Sequence, residues 1–298
     1  MNKKKLSHSS LNSSITSVLA ALLCILIGLV VGFLVLLAIN PAHAWGDGFV
    51  RIIKGGFHDA PYGVGKELAN AAPLVMTGLS VGFAFKTGLF NIGAAGQYCA
   101  GAGMALYAAL AWHMPWWLCM IMAMLGGALL GVISGLLKSY CNVNEVISGI
   151  MLNWITLYVV NILLTNVKEA ASPYTMPVAH VNGGAIIPSL GLGKLFNNNQ
   201  YVTLAIPLAI LIAVGLHILL EKTRLGYELK ATGNNKNAAK YCGMAERRNL
   251  ILTLAIGGAL AGLGAAMLYL TGYEQWQCSQ SSVPAWASTA LPRPSSAA

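Results

Sequence analysis

Charge is what this sequence has least of. Only 9% of its 298 residues are Asp, Glu, Lys or Arg, against 56% that are hydrophobic. A soluble globular chain carries about 25% charged residues, so the deficit points to lipid as the solvent. Catalytic patterns are missing as well. There is no His-Glu-x-x-His, no Gly-x-Ser-x-Gly and no pair of carboxylates inside an apolar run. Of nine acidic residues, only Glu145 lies at the edge of such a run. A phosphate-binding loop is also absent, because Gly193-Lys194 continues into Leu195 and Lys86-Thr87 follows Phe85. If ATP drives this protein, another chain binds it. The six cysteines form no Cys-x-x-Cys. They read as small apolar packing residues, not as metal ligands or disulfide partners. No enzyme activity, metal or cofactor is expected of this chain.

Apolar runs of about 17–25 residues, the length that crosses a bilayer as a helix, are what the sequence does have. They fall near 15–39, 69–85, 93–112, 115–137, 146–165, 201–220 and 250–272. The fold expected is an all-α, polytopic transmembrane helix bundle of about seven spans. Residues 1–14 precede the transmembrane domain, 15–272, and 273–284 begin a further loop.

The net charge of +9 is placed asymmetrically. With a cytoplasmic N-terminus, twelve cations fall on the inner side: Lys3, Lys4, Lys5, Lys86, Lys138, Lys222, Arg224, Lys230, Lys236, Lys240, Arg247 and Arg248. Five fall on the outer side: Arg51, Lys54, Lys66, Lys168 and Lys194. This fits the positive-inside rule, and no basic, aromatic-interleaved face is left for nucleic acid. The basic start and Ala42-His43-Ala44 imitate a signal peptide, but the run Ile15–Ile39 has 25 residues. A signal-peptide core has about 7–15, so a retained first span is expected.

Glycines recur every fourth residue at Gly127, Gly131 and Gly135, and again at Gly258 and Gly262. Small residues at this spacing let helix backbones approach closely in lipid, and some such stripes line a pathway. The outer loop, 166–200, is turn-rich and nearly uncharged. The inner loop, 221–249, is the one strongly charged segment and the expected docking surface.

Three segments attract functional readings. "GLFNIGAAGQ", Gly88 to Gln97, breaks a helix between two apolar runs. It is either a tight turn at the inner surface or non-helical backbone at membrane depth, which is tolerated only where protein or a wet cavity receives it. "NVNEVISGIMLNWITLY" opens a span with Asn144 and Glu145 and carries Asn153 within it. Trp154, Tyr158 and Asn161 share one helical face. They suit either an interfacial aromatic girdle with an interhelical amide bond, or stacking and hydrogen bonding to a sugar or base. In the inner loop, Asn235 can cap a short helix, Lys236 to Cys242, that Gly243 ends in a left-handed turn. A solvated charged loop is the plainer alternative.

Together these segments resemble the permease subunit of ABC importers in the branched-chain amino acid, ribose and nucleoside group, nearest its nucleoside or simple-sugar branch. The family carries stretches like F-N-I-G-A-E-G-Q, here Phe90 to Gln97, and N-E-V-I-x-x-I-M-L-N, here Asn144 to Asn153. It also carries A-x-G-x-N-x-x-A-A-x-Y-x-G, here Ala231 to Gly243. The resemblance covers roughly 15–284, with Ala95 standing where the family often has Glu.

What the resemblance implies is a multi-pass protein of the bacterial plasma membrane. It would translocate a nucleoside or simple sugar delivered by an extracytoplasmic substrate-binding lipoprotein. Partners implied are cytoplasmic ATP-binding subunits and a second permease subunit, identical or homologous. The substrate path would include Phe90, Asn91, Gln97, Asn144, Glu145, Asn153, Trp154 and Tyr158. Coupling to the ATPase would fall to Gly233, Asn235, Ala238, Ala239, Tyr241 and Gly243. The competing class is a secondary transporter or channel for a small polar solute. It would call for ionisable groups inside the membrane, and Lys86 and Glu145 lie only near span ends.

From Ala285 onward the composition turns abruptly to Ser, Pro and Ala, and the expectation is a frameshifted tail, 285–298. A permitted coding string for these residues begins GCA TGG GCT TCA ACG. Regrouped with one G in front, the whole string spells Gly-Met-Gly-Phe-Asn-Gly-Ile-Ala-Ala-Ala-Phe-Leu-Gly-Gly, an apolar membrane-like segment similar to the family's G-F-x-G-I-A-x-A-x-L-G stretch. Sequencing the gene across the Pro284–Ala285 junction tests this. Restoring one base should open a continuing apolar reading frame, and the absence of such a frame rules the frameshift out.

Overall fold

A computed structural model describes residues 3–57, 59–282 and 284; the tail expected to be frameshifted lies outside the described residues. Among the described residues the architecture is helical, with only two isolated β-bridges. The chain divides into two compact units, residues 1–63 and 64–298.

The first unit is built on α1, Lys3–Ile39. Its apolar part, Leu19–Ile39, satisfies the length and hydropathy of a membrane span. The chain then doubles back through short helical turns, and Phe33 packs against Phe49 at 4.8 Å and edge-on to Trp45 at 5.7 Å between ring centroids.

The second unit contains α2 (Tyr62–Lys86, entering from the first unit), α3 (Ala94–Leu110), α4 (Trp116–Cys141) and α5 (Glu145–Thr165). After the outer loop come α6 (Ala205–Lys222), α7 (Arg224–Asn234), α8 (Lys236–Tyr241) and α9 (Glu246–Tyr269). With α1, six helices among the described residues are long and apolar enough to cross a membrane. The seventh expected span is α3, which has only 17 residues. At about 1.5 Å per residue it reaches roughly 25 Å, short of the ~30 Å hydrocarbon core. Yet it is the helix most completely enclosed, with 14 of its 17 residues buried among α4, α5 and α9. A short helix can stay at membrane depth because neighbouring helices, not lipid, surround its ends.

The glycine stripes answer to packing. A Cβ on Gly127 would overlap the Gly258 carbonyl, one on Gly131 the Leu254 carbonyl, and one on Gly262 the Ala123 carbonyl. The stripes of α4 and α9 therefore face each other with backbones in contact, and α3 joins them where Gly101 meets Gly262. Dispersion between closely packed backbones holds helices together where lipid removes the hydrophobic drive. Ala95 lies in this core and brings no charge that would need a partner.

Gly127→Leu should force α4 and α9 apart. The expected loss is about 1–3 kcal/mol of stability, the usual cost of overpacking a core, read as a lower unfolding midpoint in detergent. An unchanged midpoint would show that the two helices do not meet at Gly127.

Candidate functional site: a broken helix, its amide cluster and the charged loop

Helix α2 ends at Lys86 and α3 begins at Ala94, and the residues between them are not helical. Gly88 sits at φ +74°, a left-handed conformation that glycine adopts without cost. The Thr87 hydroxyl donates back to the Phe83 carbonyl at 2.9 Å, and the Leu89 N–H to the Ala84 carbonyl at 2.9 Å. The chain then turns back into the bundle. Asn91 reaches Gly257 of α9, whose Cβ, if present, would lie 3.1 Å from the Asn91 Nδ2. Gly257 is eleven residues past Glu246, about 16 Å along the helix axis. The non-helical stretch therefore starts at the basic end of the bundle and runs alongside the middle of α9.

Helix starts leave N–H groups without intrahelical partners, and Gly93 at the N-cap of α3 has no side chain to cap them. Asn153 of α5 does so from across the bundle. Its Oδ1 accepts from the Gly96 N–H at 2.7 Å, and its Nδ2 donates to the Ile92 carbonyl at 3.1 Å. Gly96 makes room for it, since a Cβ there would lie 2.8 Å from the Asn153 Cα. Beside this clamp, Asn91 and Gln97 form a reciprocal amide pair. The Asn91 Nδ2 donates to the Gln97 Oε1 at 2.8 Å, and the Gln97 Nε2 to the Asn91 Oδ1 at 3.2 Å. Asn91 also donates to the Ser80 Oγ of α2 at 3.4 Å.

Three expected path residues, Asn91, Gln97 and Asn153, are thus brought together and buried, each bonded inside the protein. Phe90 is half-buried, its ring edge-on to Phe85 at 4.9 Å. Asn144 and Glu145 sit apart from them, at the start of α5. Asn144 caps that helix, accepting from the Val146 N–H at 2.9 Å, and Glu145 pairs with Lys138 of α4 at 2.5 Å. Trp154 and Tyr158 point away from the cluster, about 100° and 140° around α5 from Asn153, and are 45% and 52% exposed.

The expected single face of Trp154, Tyr158 and Asn161 is split. Asn161 is buried, because the chain returning from α9 covers that end of the helix. Asn161 accepts from the Trp276 Nε1–H at 2.8 Å and donates to the Gln280 carbonyl at 2.9 Å. Ser80, Gly96 and Gly257 complete the cluster and were not singled out from sequence. Gly96 lies within the segment that was quoted, whereas Ser80 and Gly257 are joined to it only by the tertiary fold.

The charged loop holds two helices. Thr223 caps α7, accepting from the Gly226 N–H at 3.1 Å. Asn235 closes α7 and opens α8, its Oδ1 accepting from the N–H groups of Asn237 and Ala238 at 3.1 and 3.0 Å. Gly243 follows α8 at φ +78°. The capped short helix expected from sequence is therefore present, ending at Tyr241 rather than Cys242, and α7 is an addition to that reading. Asn249 of α9 donates to the Thr232 Oγ1 at 2.9 Å and ties the end of α7 to the bundle. Ala239 is buried beneath α8, Ala238 faces outward, and Tyr241 is 93% exposed. A cleft of about 430 Å³ at this end is lined by Gly88, Lys138, Glu145, Gly233, Asn235 and Arg247.

Among the described residues, no buried side chain carries a charge. The described residues form a helical bundle in which the chain reverses through a non-helical turn between α2 and α3, with a capped charged loop at the same end. The chain belongs to the family described as branched-chain amino acid transport system / permease component, which matches residues 65–289. It is 34% identical to the guanosine ABC transporter permease protein NupP of Bacillus subtilis, over 80% of this chain and 68% of that one. It is 32% identical to the nucleoside ABC transporter permease protein NupB of Lactococcus lactis, over 83% and 69%. A glucose ABC transporter permease protein of Haloferax volcanii is 30% identical over 78% and 62%. No solved structure matches the chain. This is a multi-pass membrane permease subunit of the ABC importer class.

Asn153→Leu should destabilise the chain by about 1–3 kcal/mol for each buried backbone group it strands, namely the Gly96 N–H and the Ile92 carbonyl. Thermal unfolding in detergent measures it. Wild-type stability in the variant would show that the clamp holds nothing.

Proposed function

We propose that this permease imports a nucleoside, with a simple sugar as the second choice, using ATP hydrolysed by separate cytoplasmic subunits and ligand delivered by an extracytoplasmic binding lipoprotein. The observation that carries the reading is the neutral interior. A bundle whose described buried side chains carry no charge suits an uncharged, hydroxyl-rich ligand, which is recognised by a few convergent hydrogen-bonding groups in apolar surroundings. Ion-coupled carriers instead keep ionisable groups at membrane depth. The names of the relatives, guanosine, nucleoside and glucose permeases, support the same choice.

A path along this chain, in our reading, runs past Phe90, Asn91, Gln97, Asn153, Trp154 and Tyr158, with Asn144 and Glu145 at its cytoplasmic mouth. The outward placement of Trp154 and Tyr158 supports a path whose other wall is a second permease subunit. The amide cluster borders that path and fixes the broken helix behind it. Gly233, Asn235, Ala238, Tyr241 and Gly243 form the ATPase-coupling surface, and Ala239 supports it from beneath. ATP binding favours one arrangement of the spans and release the other, as differential affinity for two states requires.

The test is a reconstituted complex of this chain with its ATPase, second permease and binding protein. ATP-dependent uptake of a nucleoside should exceed uptake of glucose, and the reverse order would make the sugar the substrate. Tyr241→Ala should weaken co-purification of the ATPase by about 2 kcal/mol, the loss of an exposed aromatic anchor at an interface, while membrane insertion is retained. Full ATPase binding by that variant would remove α8 from the docking surface. Cysteines placed at Asn91, Gln97 and Asn153 should react with a water-soluble reagent in at least one transport state. Protection in every state would place the path elsewhere.

A further inference from the structure

The charged loop and the broken helix meet at one place, and they meet backbone to backbone. A Cβ on Gly88 would lie 2.6 Å from the Gly233 carbonyl carbon, and one on Gly233 would lie 2.8 Å from the Gly88 nitrogen and overlap the Thr87 carbonyl. Neither residue can gain a single carbon without displacing main chain. Gly233 is the penultimate residue of α7, and the next helix starts at the shared cap Asn235. Gly88 is the first left-handed residue after α2, three residues before Asn91.

We propose that this glycine pair is a bearing through which displacement of the α7–α8 loop passes to the Asn91–Gln97–Asn153 cluster. The proposal rests on the loop being the docking surface and names the route by which docking reaches the spans. Three features support it. First, no side chain intervenes, so the contact has no rotamer that can absorb a push; close-packed interiors transmit strain. Second, both sides are stiff. The end of α7 is held to α9 by the Asn249–Thr232 bond at 2.9 Å, and the Asn235 N–H donates to the Ala231 carbonyl at 3.1 Å. Across the contact, Thr87 and Leu89 are bonded back to Phe83 and Ala84. Ile92, four residues past Gly88, is held by the Asn153 amide at 3.1 Å. A shift at Gly88 therefore loads the clamp within a few bonds. Third, the 430 Å³ cleft beside the pair is lined by both glycines, so the loop has room to travel on that side. Gly88 and Gly233 are positioning residues in this account, acting on the path through Asn91 and Asn153 without touching the ligand.

The experiment uses the full reconstituted complex with environment-sensitive labels at Lys240→Cys, an exposed position of α8 outside the assigned coupling residues, and, separately, Phe90→Cys. On adding a non-hydrolysable ATP analogue, both labels should change signal in the otherwise wild-type chain. In Gly233→Ala the label at 240 should still respond and the label at 90 should not. Transport per ATP hydrolysed should fall about tenfold, ordinary for a coupling free energy between two sites. A merely structural defect would reduce folded complex, and with it transport and hydrolysis together, leaving their ratio unchanged. If label 240 responds while label 90 stays silent in the wild-type background, the bearing is wrong and the docking surface stands. A silent label 240 overturns both. A Gly233→Ala complex with a wild-type ratio and both responses intact also overturns the bearing. Should that variant fail to assemble, the two wild-type labels still decide.

Discussion

The structure depends on a constraint that lipid imposes: a backbone N–H or C=O at membrane depth must find its partner inside the protein. Helices meet it automatically, and the segment between Lys86 and Ala94 does not. Its groups are paired one by one instead. Asn153 serves both the Gly96 N–H and the Ile92 carbonyl, and the Asn91–Gln97 pair satisfies two side-chain amides that would otherwise be stranded beside them. Leaving such a group unmade costs about 1–3 kcal/mol, so the cluster is a condition for having a broken helix at all.

A second requirement follows from bringing those amides together. Asn153 can reach the Gly96 N–H only if α5 lies against the start of α3, and the absent Cβ at Gly96 and at Gly149 permits it. On the other side of α3, the glycines of α4 and α9 close the bundle by direct backbone contact. Small residues thus do different tasks at two places. Between α4 and α9 they supply dispersion contact, and around Gly96 they create the space an amide fills.

Much of the fold was legible because its signals are local. Apolar run length placed the spans, and the Gly and Asn of "GLFNIGAAGQ" marked the break. Asn235 and Gly243 marked the ends of α8, since capping is decided within a few residues of the cap. What was not legible is tertiary. The Asn153 clamp on Gly96 and Ile92 joins positions up to 61 residues apart, and no short-range pattern encodes that pairing. Ser80 and Gly257 were invisible for the same reason. Helix α7 was missed because its charged residues read as solvated loop, although Thr223 before it carries an ordinary capping signal. Asn161 shared a face with Trp154 and Tyr158 on a bare helical wheel, and a returning segment around Trp276 removed it from that face.

The placement of α5 sharpens what its aromatic residues can do. Asn153 and Trp154 are adjacent, so their side chains diverge by about 100° around the helix; one side of α5 holds the amide cluster and another carries Trp154 and Tyr158 outward. A ligand stacking on those rings would travel on the outside of this chain's bundle, and the far wall would have to come from another subunit. The cluster bordering that path would then also set where α5 stands relative to α3. In that arrangement a loop pressing on Gly88 need not touch the ligand to change its surroundings. It needs only to move the start of α3, because Asn153 fastens α5 to that point and carries Trp154 with it.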